Sequence, residues 1–300
     1  MKGFMEMETK AHPWALLLLV LGAAAIGLAP IFVRLTDVGP TASAFWRTFL
    51  ALPFFFAYMR YEAPKLPDQM PALRHDYRDL IFCGSLFAIE VTLWHSSLQY
   101  TTVANATLLS NMNPIVVALL SVWLFKESLS KVFFVGLIVG LSGAFFLAGA
   151  SFEAGGTRLF GDFIGVVTAI FYGFYLLTVS RLRRRFSVGV VMFWTCLMTA
   201  IWLLPTAYFF GEQIIPSDSQ DWLYIIGLAM ICQVAGQGFI TFAFAHLPAA
   251  FGALTLLIQP VVAAAIAWVL FEEYLGPIDA VGAGLILIGI VLARLGTIKR

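Results

Sequence analysis

Glu90 stands about eleven residues into an apolar run over 79–98, and Arg47 stands inside another over 40–60. Hydrocarbon does not solvate ions, so a carboxylate or guanidinium at such a depth marks a substrate contact, an ion path or a proton relay. A rise of 1.5 Å per residue puts Glu90 near the middle of its run, which makes it a candidate proton carrier. Trp94 follows one turn later on the same helical face and offers a ring either to a substrate or to packing. Arg47 either snorkels toward the nearer interface or binds a substrate carboxylate. Gln233 and Gln237, spaced i,i+4, form one polar face on a later run, and Asn105 adds an amide to the run over 102–124. Together Glu90, Trp94, Asn105, Gln233, Gln237 and Arg47 are the expected lining of a central cavity.

These residue types suit recognition and proton handling rather than covalent catalysis. Glu90 and His95 are five residues apart, so they point from different faces of a helix. His95 lies nearer the end of its run and reads as an interfacial histidine. No HExxH, GxSxG or CxxC pattern occurs. Cys83, Cys196 and Cys232 fall inside apolar runs at irregular spacing, which indicates neither a disulfide set nor a metal site. No cofactor is expected. An intramembrane enzyme and a channel are the rival classes, and both lack a sequence feature of their own here.

The elements that position these residues follow from composition. Apolar residues make up 61% of the 300, charged residues 12%, and mean hydropathy is +0.90. A soluble domain carries about 25% charge, so this chain expects lipid as its solvent. A net charge of +1 gives no reason to expect nucleic acid. Apolar runs fall at 14–34, 40–60, 79–98, 102–124, 131–150, 160–180, 188–210, 221–244, 248–270 and 277–296. Each approaches the roughly 20 residues that a spanning helix needs. The first run is preceded by Lys2 and Lys10 and contains Ala23-Ala24-Ala25, as a signal peptide would. It is long for one and has a partner later in the chain, so it is expected to be retained.

Placing the amino terminus in the cytoplasm leaves only Arg34 and Arg158 on the far side, with Arg47 inside a span and the other 15 of 18 basic residues cytoplasmic. The positive-inside rule therefore predicts both termini in the cytoplasm.

The second half repeats the first. From Ala106 the chain reads ATLLSNMNPIVVALLSVWLFKESLS, and 146 residues later it reads GALTLLIQPVVAAAIAWVLFEEYLG. Pro114 falls on Pro260, Asn113 on Gln259, Glu127 on Glu273, Gly136 on Gly282 and Gly143 on Gly289. Five runs per half is an odd number, so the second half enters the membrane upside down. Inverted repeats of this kind usually enclose a site at mid-depth. A mid-helix proline removes one hydrogen bond, here freeing the carbonyls of Ser110 and Leu256. Asn113-Pro114 and Gln259-Pro260 are thus expected hinges. Gly136, Gly140 and Gly143, with Gly282, Gly284 and Gly289, read as close helix packing.

The two proline-to-glutamate runs, each followed by a glycine-bearing helix (VGLIVGLSG, VGAGLILIG), resemble the EamA-type repeat of the drug/metabolite transporter superfamily. The FWRTFLALP segment around Arg47 resembles that family's second helix. The likeness spans nearly all of the chain. One departure is the Asn113/Gln259 pair, where a glutamate is common in the second copy.

The resemblance implies an all-α polytopic membrane protein of ten helices in two inverted five-helix repeats. The repeats would occupy 14–150 and 160–296, between a cytoplasmic segment over 1–13, an outer linker over 151–159 and a tail over 297–300. It also implies a bacterial inner-membrane exporter of small metabolites, aromatic or other neutral amino acids first and toxic cations second, working by alternating access. Proton antiport through Glu90 and facilitated diffusion both fit. A nucleoside or nucleotide-sugar carrier is the alternative cargo class. One chain suffices for a pathway.

Overall fold

The computed structural model describes residues 12–101, 103–147, 157–272 and 276–298. Helices account for nearly all of it, and there is no strand among the described residues. In lipid every backbone polar group must bond within its own segment, so apolar runs of this length become helices.

In chain order these are α1 (Ala15–Gly27), α2 (Ala29–Leu35), α3 (Pro40–Glu62), α4 (Arg74–Leu98), α5 (Val103–Ser110), α6 (Asn113–Phe125), α7 (Lys131–Leu147) and α8 (Thr157–Arg183). They continue with α9 (Val188–Phe209), α10 (Ser219–Gly227), a π-helical segment (Leu228–Gln237), α11 (Gly238–Ala243), α12 (Ala249–Thr255), α13 (Ile258–Phe271) and α14 (Pro277–Ile298). Joined where they run on, they give, among the described residues, eight rods long and apolar enough to cross a membrane. At 17 residues α7 is shorter, and the 23 residues of α3 include Arg47, Arg60 and Glu62.

Three expected runs are broken: the first parts at Leu28, between α1 and α2, and the fourth and ninth part just before their prolines. Pro114 and Pro260 do not sit in helix interiors: α5 stops at Ser110 and α12 at Thr255. Pro114 is the second residue of α6 and Pro260 the third of α13. Proline lacks the N–H that would bond the carbonyl four residues back, here that of Ser110 or Leu256, so the earlier helix cannot run on through it. The carbonyls expected to be freed are repaired locally. Asn113 Nδ2 donates to Ser110 O at 3.2 Å, and Gln259 N donates to Leu256 O at 2.9 Å. The eighth expected run, 221–244, also differs, because its middle winds as the π segment.

The two similar stretches of sequence share one backbone feature. Lys126 after α6 has φ 53° and Glu272 after α13 has φ 54°; these are the only positive-φ residues other than glycine among the described ones. They are 146 residues apart, the offset of the two copies. Left-handed backbone is uncommon for side chains of this type.

The main core gathers Phe87 of α4, Tyr175 and Leu176 of α8, Phe251 and Leu254 of α12, and Ile286 of α14. Trp123, Ile138, Phe163 and Val269 point outward instead, as side chains facing hydrocarbon do. α7 and α14 approach backbone to backbone. A Cβ built on Gly289 would lie 2.5 Å from Gly140 N and 2.6 Å from Gly136 O, and one on Gly143 would lie 2.5 Å from Gly282 O. Gly284, expected on the same surface, has nothing within 4 Å of its Cβ position. Most of the linker over 151–159, Glu273, and the basic residues Lys2, Lys10, Lys299 and Arg300 lie outside the described residues.

Candidate functional site

Arg47 of α3 meets the π segment. Its Nε donates to Gln233 Oε1 at 2.6 Å, and Gln233 Nε2 donates to Cys196 Sγ of α9 at 3.3 Å. Gln233 is neutral, so this bond orients the guanidinium without cancelling its charge. One turn on, Gln237 Nε2 donates to the Tyr175 hydroxyl of α8 at 2.9 Å. Both amides are buried, at 0% and 1% exposure. Their side chains bond to residues of α3, α8 and α9. Three helices meet at this segment, and such local windings often mark functional positions.

An aromatic wall stands beside this network. Tyr175 stacks on Phe87 of α4 at 4.7 Å between centroids, and Tyr172 stacks on Tyr175 at 6.1 Å. The Arg47 guanidinium lies 5.9 Å from the Phe87 ring centre. Glu90, partly buried one turn from Phe87, feels the Arg47 charge. No direct ion pair joins them among the described residues. Tyr172 interacts with both Glu90 and the Gln259 side chain. The structure thus brings Arg47, Glu90, Gln233, Gln237 and Gln259 around one group of rings.

The remaining expected residues lie at the margins. Trp94 sits against His95, 5.1 Å between ring centres, and His95 is buried with Nδ1 3.2 Å from Thr41 Oγ1 of α3. His95 thus makes a buried hydrogen bond between α4 and the first turn of α3. Asn105 is buried on α5, eight residues before Asn113 and on the other side of the break. Asn113 is 1% exposed, and its Oδ1 has no hydrogen-bond partner. Gln259 Nε2 is likewise buried and makes no hydrogen bond of good geometry, although its side chain interacts with Tyr172. The two equivalent positions in the sequence therefore carry one unpaired acceptor and one weakly engaged donor. Unsatisfied buried polar atoms cost about 1–3 kcal/mol each, so both are suited to a polar ligand.

A separate apolar groove of about 430 Å³ lies between α1, α3, α9 and α11, lined by Leu18, Phe54, Tyr58, Val188 and Phe242 among others. None of the six expected cavity residues lines it.

Sequence reasoning missed Phe87, Tyr172 and Tyr175 as a unit. The signal available was weak: two tyrosines at i,i+3 share a helical face, but 15% of the chain is aromatic.

Comparison with known proteins agrees with this architecture. The model of the EamA-like transporter family matches twice, over residues 13–149 and 159–295. An uncharacterized transporter of Archaeoglobus fulgidus is 26% identical over 275 residues, covering 92% of this chain and 94% of that protein. The pseudopaline exporter CntI of Pseudomonas aeruginosa is 22% identical over 216 residues, covering 72% and 74%. An uncharacterized transporter of Helicobacter pylori is 24% identical over 271 residues, covering 86% and 85%. One solved crystal structure superposes with a TM-score of 0.79 at 20% identity, over 94% of this chain and 96% of that one, which speaks for the fold. With two matches that together cover most of its length, the chain belongs to the EamA-like transporter family.

Proposed function

We propose that the chain exports small zwitterionic metabolites, amino acids first, by alternating access. In this reading it crosses a bacterial inner membrane ten times, as two inverted five-helix repeats over 14–150 and 160–296, with both termini cytoplasmic. The observation that carries the cargo class is the Arg47 guanidinium, held by Gln233 and 5.9 Å from the Phe87 ring, which lies one helical turn from Glu90 beside the rings of Tyr172 and Tyr175. A zwitterion places its carboxylate on Arg47 and its ammonium on Glu90, and an aromatic or other neutral side chain stacks on the rings. Asn113 Oδ1 and Gln259 Nε2 supply one acceptor and one donor more.

A relative named as a pseudopaline exporter supports outward movement of a small molecule. The excess of basic residues on one side supports the orientation. The paired left-handed residues Lys126 and Glu272 support a repeated unit. Asn113-Pro114 and Gln259-Pro260 serve as the hinges. The glycine seam between α7 and α14 serves as the fixed support.

The test is efflux from proteoliposomes loaded with a mixture of amino acids, comparing wild type with Arg47→Gln and Glu90→Gln. Saturable release of neutral amino acids that falls at least tenfold in both variants is expected. Release of none of them, or release unchanged in Arg47→Gln, overturns the zwitterion reading. Loss of pH dependence in Glu90→Gln alone assigns proton coupling to that carboxyl. A pH-independent wild type assigns facilitated diffusion.

A further inference from the structure

α3 and α9 exchange the same contact at both of their ends. At the end of α3, Glu62 Oε2 accepts from Gly189 N at the start of α9, at 2.8 Å. Just past the end of α9, Glu212 Oε2 accepts from Ala42 N at the start of α3, also at 2.8 Å. Glycine makes each approach feasible. A Cβ on Gly189 would sit 2.6 Å from Glu62 Oε2, and one on Gly39 would sit 2.5 Å from Glu212 Oε2. Glu62 and Glu212 are 150 residues apart, and so are Gly39 and Gly189.

The donors, Ala42 and Gly189, are 147 residues apart, so the two contacts are alike in kind, one in each half of the chain. Because the helices are antiparallel and 23 and 22 residues long, the contacts lie roughly 30 Å apart, about the thickness of the hydrocarbon layer.

A carboxylate on the exposed N–H groups of a helix start is a charge-assisted bond, favoured further by the helix dipole. It is also a bond that two rigid helices can break cleanly as their ends part. Loop contacts accompany it on each side. Gly39 N donates to Gln213 O at 3.0 Å and Trp46 Nε1 to Ile214 O at 2.6 Å at one end; at the other, Arg185 pairs with Asp76 at 2.6 Å.

We infer that Glu62 and Glu212 are reciprocal latches, one per membrane face, each holding the α3–α9 seam shut and each released when its own side opens. This rests on the alternating-access reading. The latches are unequal. Glu62 is 8% exposed and interacts with Arg183, whereas Glu212 is half-exposed. The Glu62 side is therefore the tighter gate.

The test places spin labels on the full chain in proteoliposomes at exposed positions, Tyr61 with Arg184 beside Glu62, and Leu35 with Phe209 beside Glu212. The native cysteines are fully buried and leave the introduced ones to be labelled. Glu62→Ala is expected to lengthen the Tyr61–Arg184 distance and raise the open-to-closed ratio on that side about tenfold, leaving the other pair unchanged. Glu212→Ala is expected to do the reverse, by a smaller factor. Gly189→Ala and Gly39→Ala keep each carboxylate but displace it, and should reproduce the two results should either alanine variant fail to fold. Neither pair responding, or both pairs lengthening together in every variant, overturns the latches. Amino-acid efflux from the same vesicles separates the two readings. Opposite opening without efflux keeps the latches and removes the cargo, while normal efflux with immobile ends removes the latches alone.

Discussion

Substituting Gly289 and Gly284 by alanine, five residues apart on one helix, should change stability in opposite directions. The methyl of Gly289→Ala would lie 2.5 Å from Gly140 N and 2.6 Å from Gly136 O, where ordinary contact begins at 3.4 Å. Both obstacles are backbone of α7, so no side chain can swing aside. The helices must part by about 0.9 Å, and a gap of that order forfeits a quarter to a half of the dispersion attraction along the seam. Overpacking of this kind costs about 1–3 kcal/mol. For a chain of this size each kcal/mol moves the midpoint by roughly 2 °C, so Gly289→Ala should melt roughly 2–6 °C lower. The methyl of Gly284→Ala meets nothing within 4 Å, and alanine is favoured over glycine inside a helix by about 0.8–1 kcal/mol. That variant should melt slightly higher. Thermal unfolding of the purified protein in detergent, followed by tryptophan fluorescence, reads both. Equal midpoints for the two variants would refute the backbone-to-backbone seam.

Four further outcomes follow from the same geometry. Gln237→Leu removes the bond to the Tyr175 hydroxyl and should cost about 0.6–1.7 kcal/mol, the range for interhelical hydrogen bonds in lipid, measurable as a lower midpoint. Lys126→Gly and Glu272→Gly replace the two left-handed residues and should each raise the midpoint, since this backbone costs a side chain about 1–2 kcal/mol; a lower midpoint in both would show that the side chains matter more than the backbone. Pro114→Ala and Pro260→Ala should slow efflux while leaving expression near wild type, and wild-type rates in both would remove the hinges. Arg47→Lys keeps the charge but loses the planar fork that bonds Gln233 while pairing with a carboxylate. Its apparent KM for a zwitterion should therefore rise while kcat changes little.

Solvent and helix content were legible in the chain itself. A composition of 61% apolar residues admits only lipid as solvent, and lipid admits only structures that close their own backbone bonds. Glu90, Arg47, Gln233 and Gln237 stood out because polar groups in apolar runs are rare, and the structure gathers them around one set of rings. The breaks before Pro114 and Pro260 were readable as well, though not their form. The sequence placed each proline inside a helix, while the chain ends one helix and starts another there, because the missing N–H coincides with a helix's first turn, where it costs nothing.

Three features were decided only by tertiary structure. Tyr172, Tyr175 and Phe87 form a wall because α8 lies against α4, and nothing in an aromatic-rich sequence distinguishes these rings from those that face lipid. The π winding over Leu228–Gln237 has no sequence signature, since the same residues suit an α-helix until α1 and α3 pack against them. Gly22 shows the closeness of that packing, its Cβ position lying 2.7 Å from Gly236 O. The Glu62 and Glu212 latches likewise join residues 127 and 170 positions apart. In sequence each is an ordinary charge near a helix end. Only the antiparallel pairing of α3 with α9 brings each carboxylate onto the other helix's open N–H groups, and one-dimensional periodicity carries no record of which helix lies beside which.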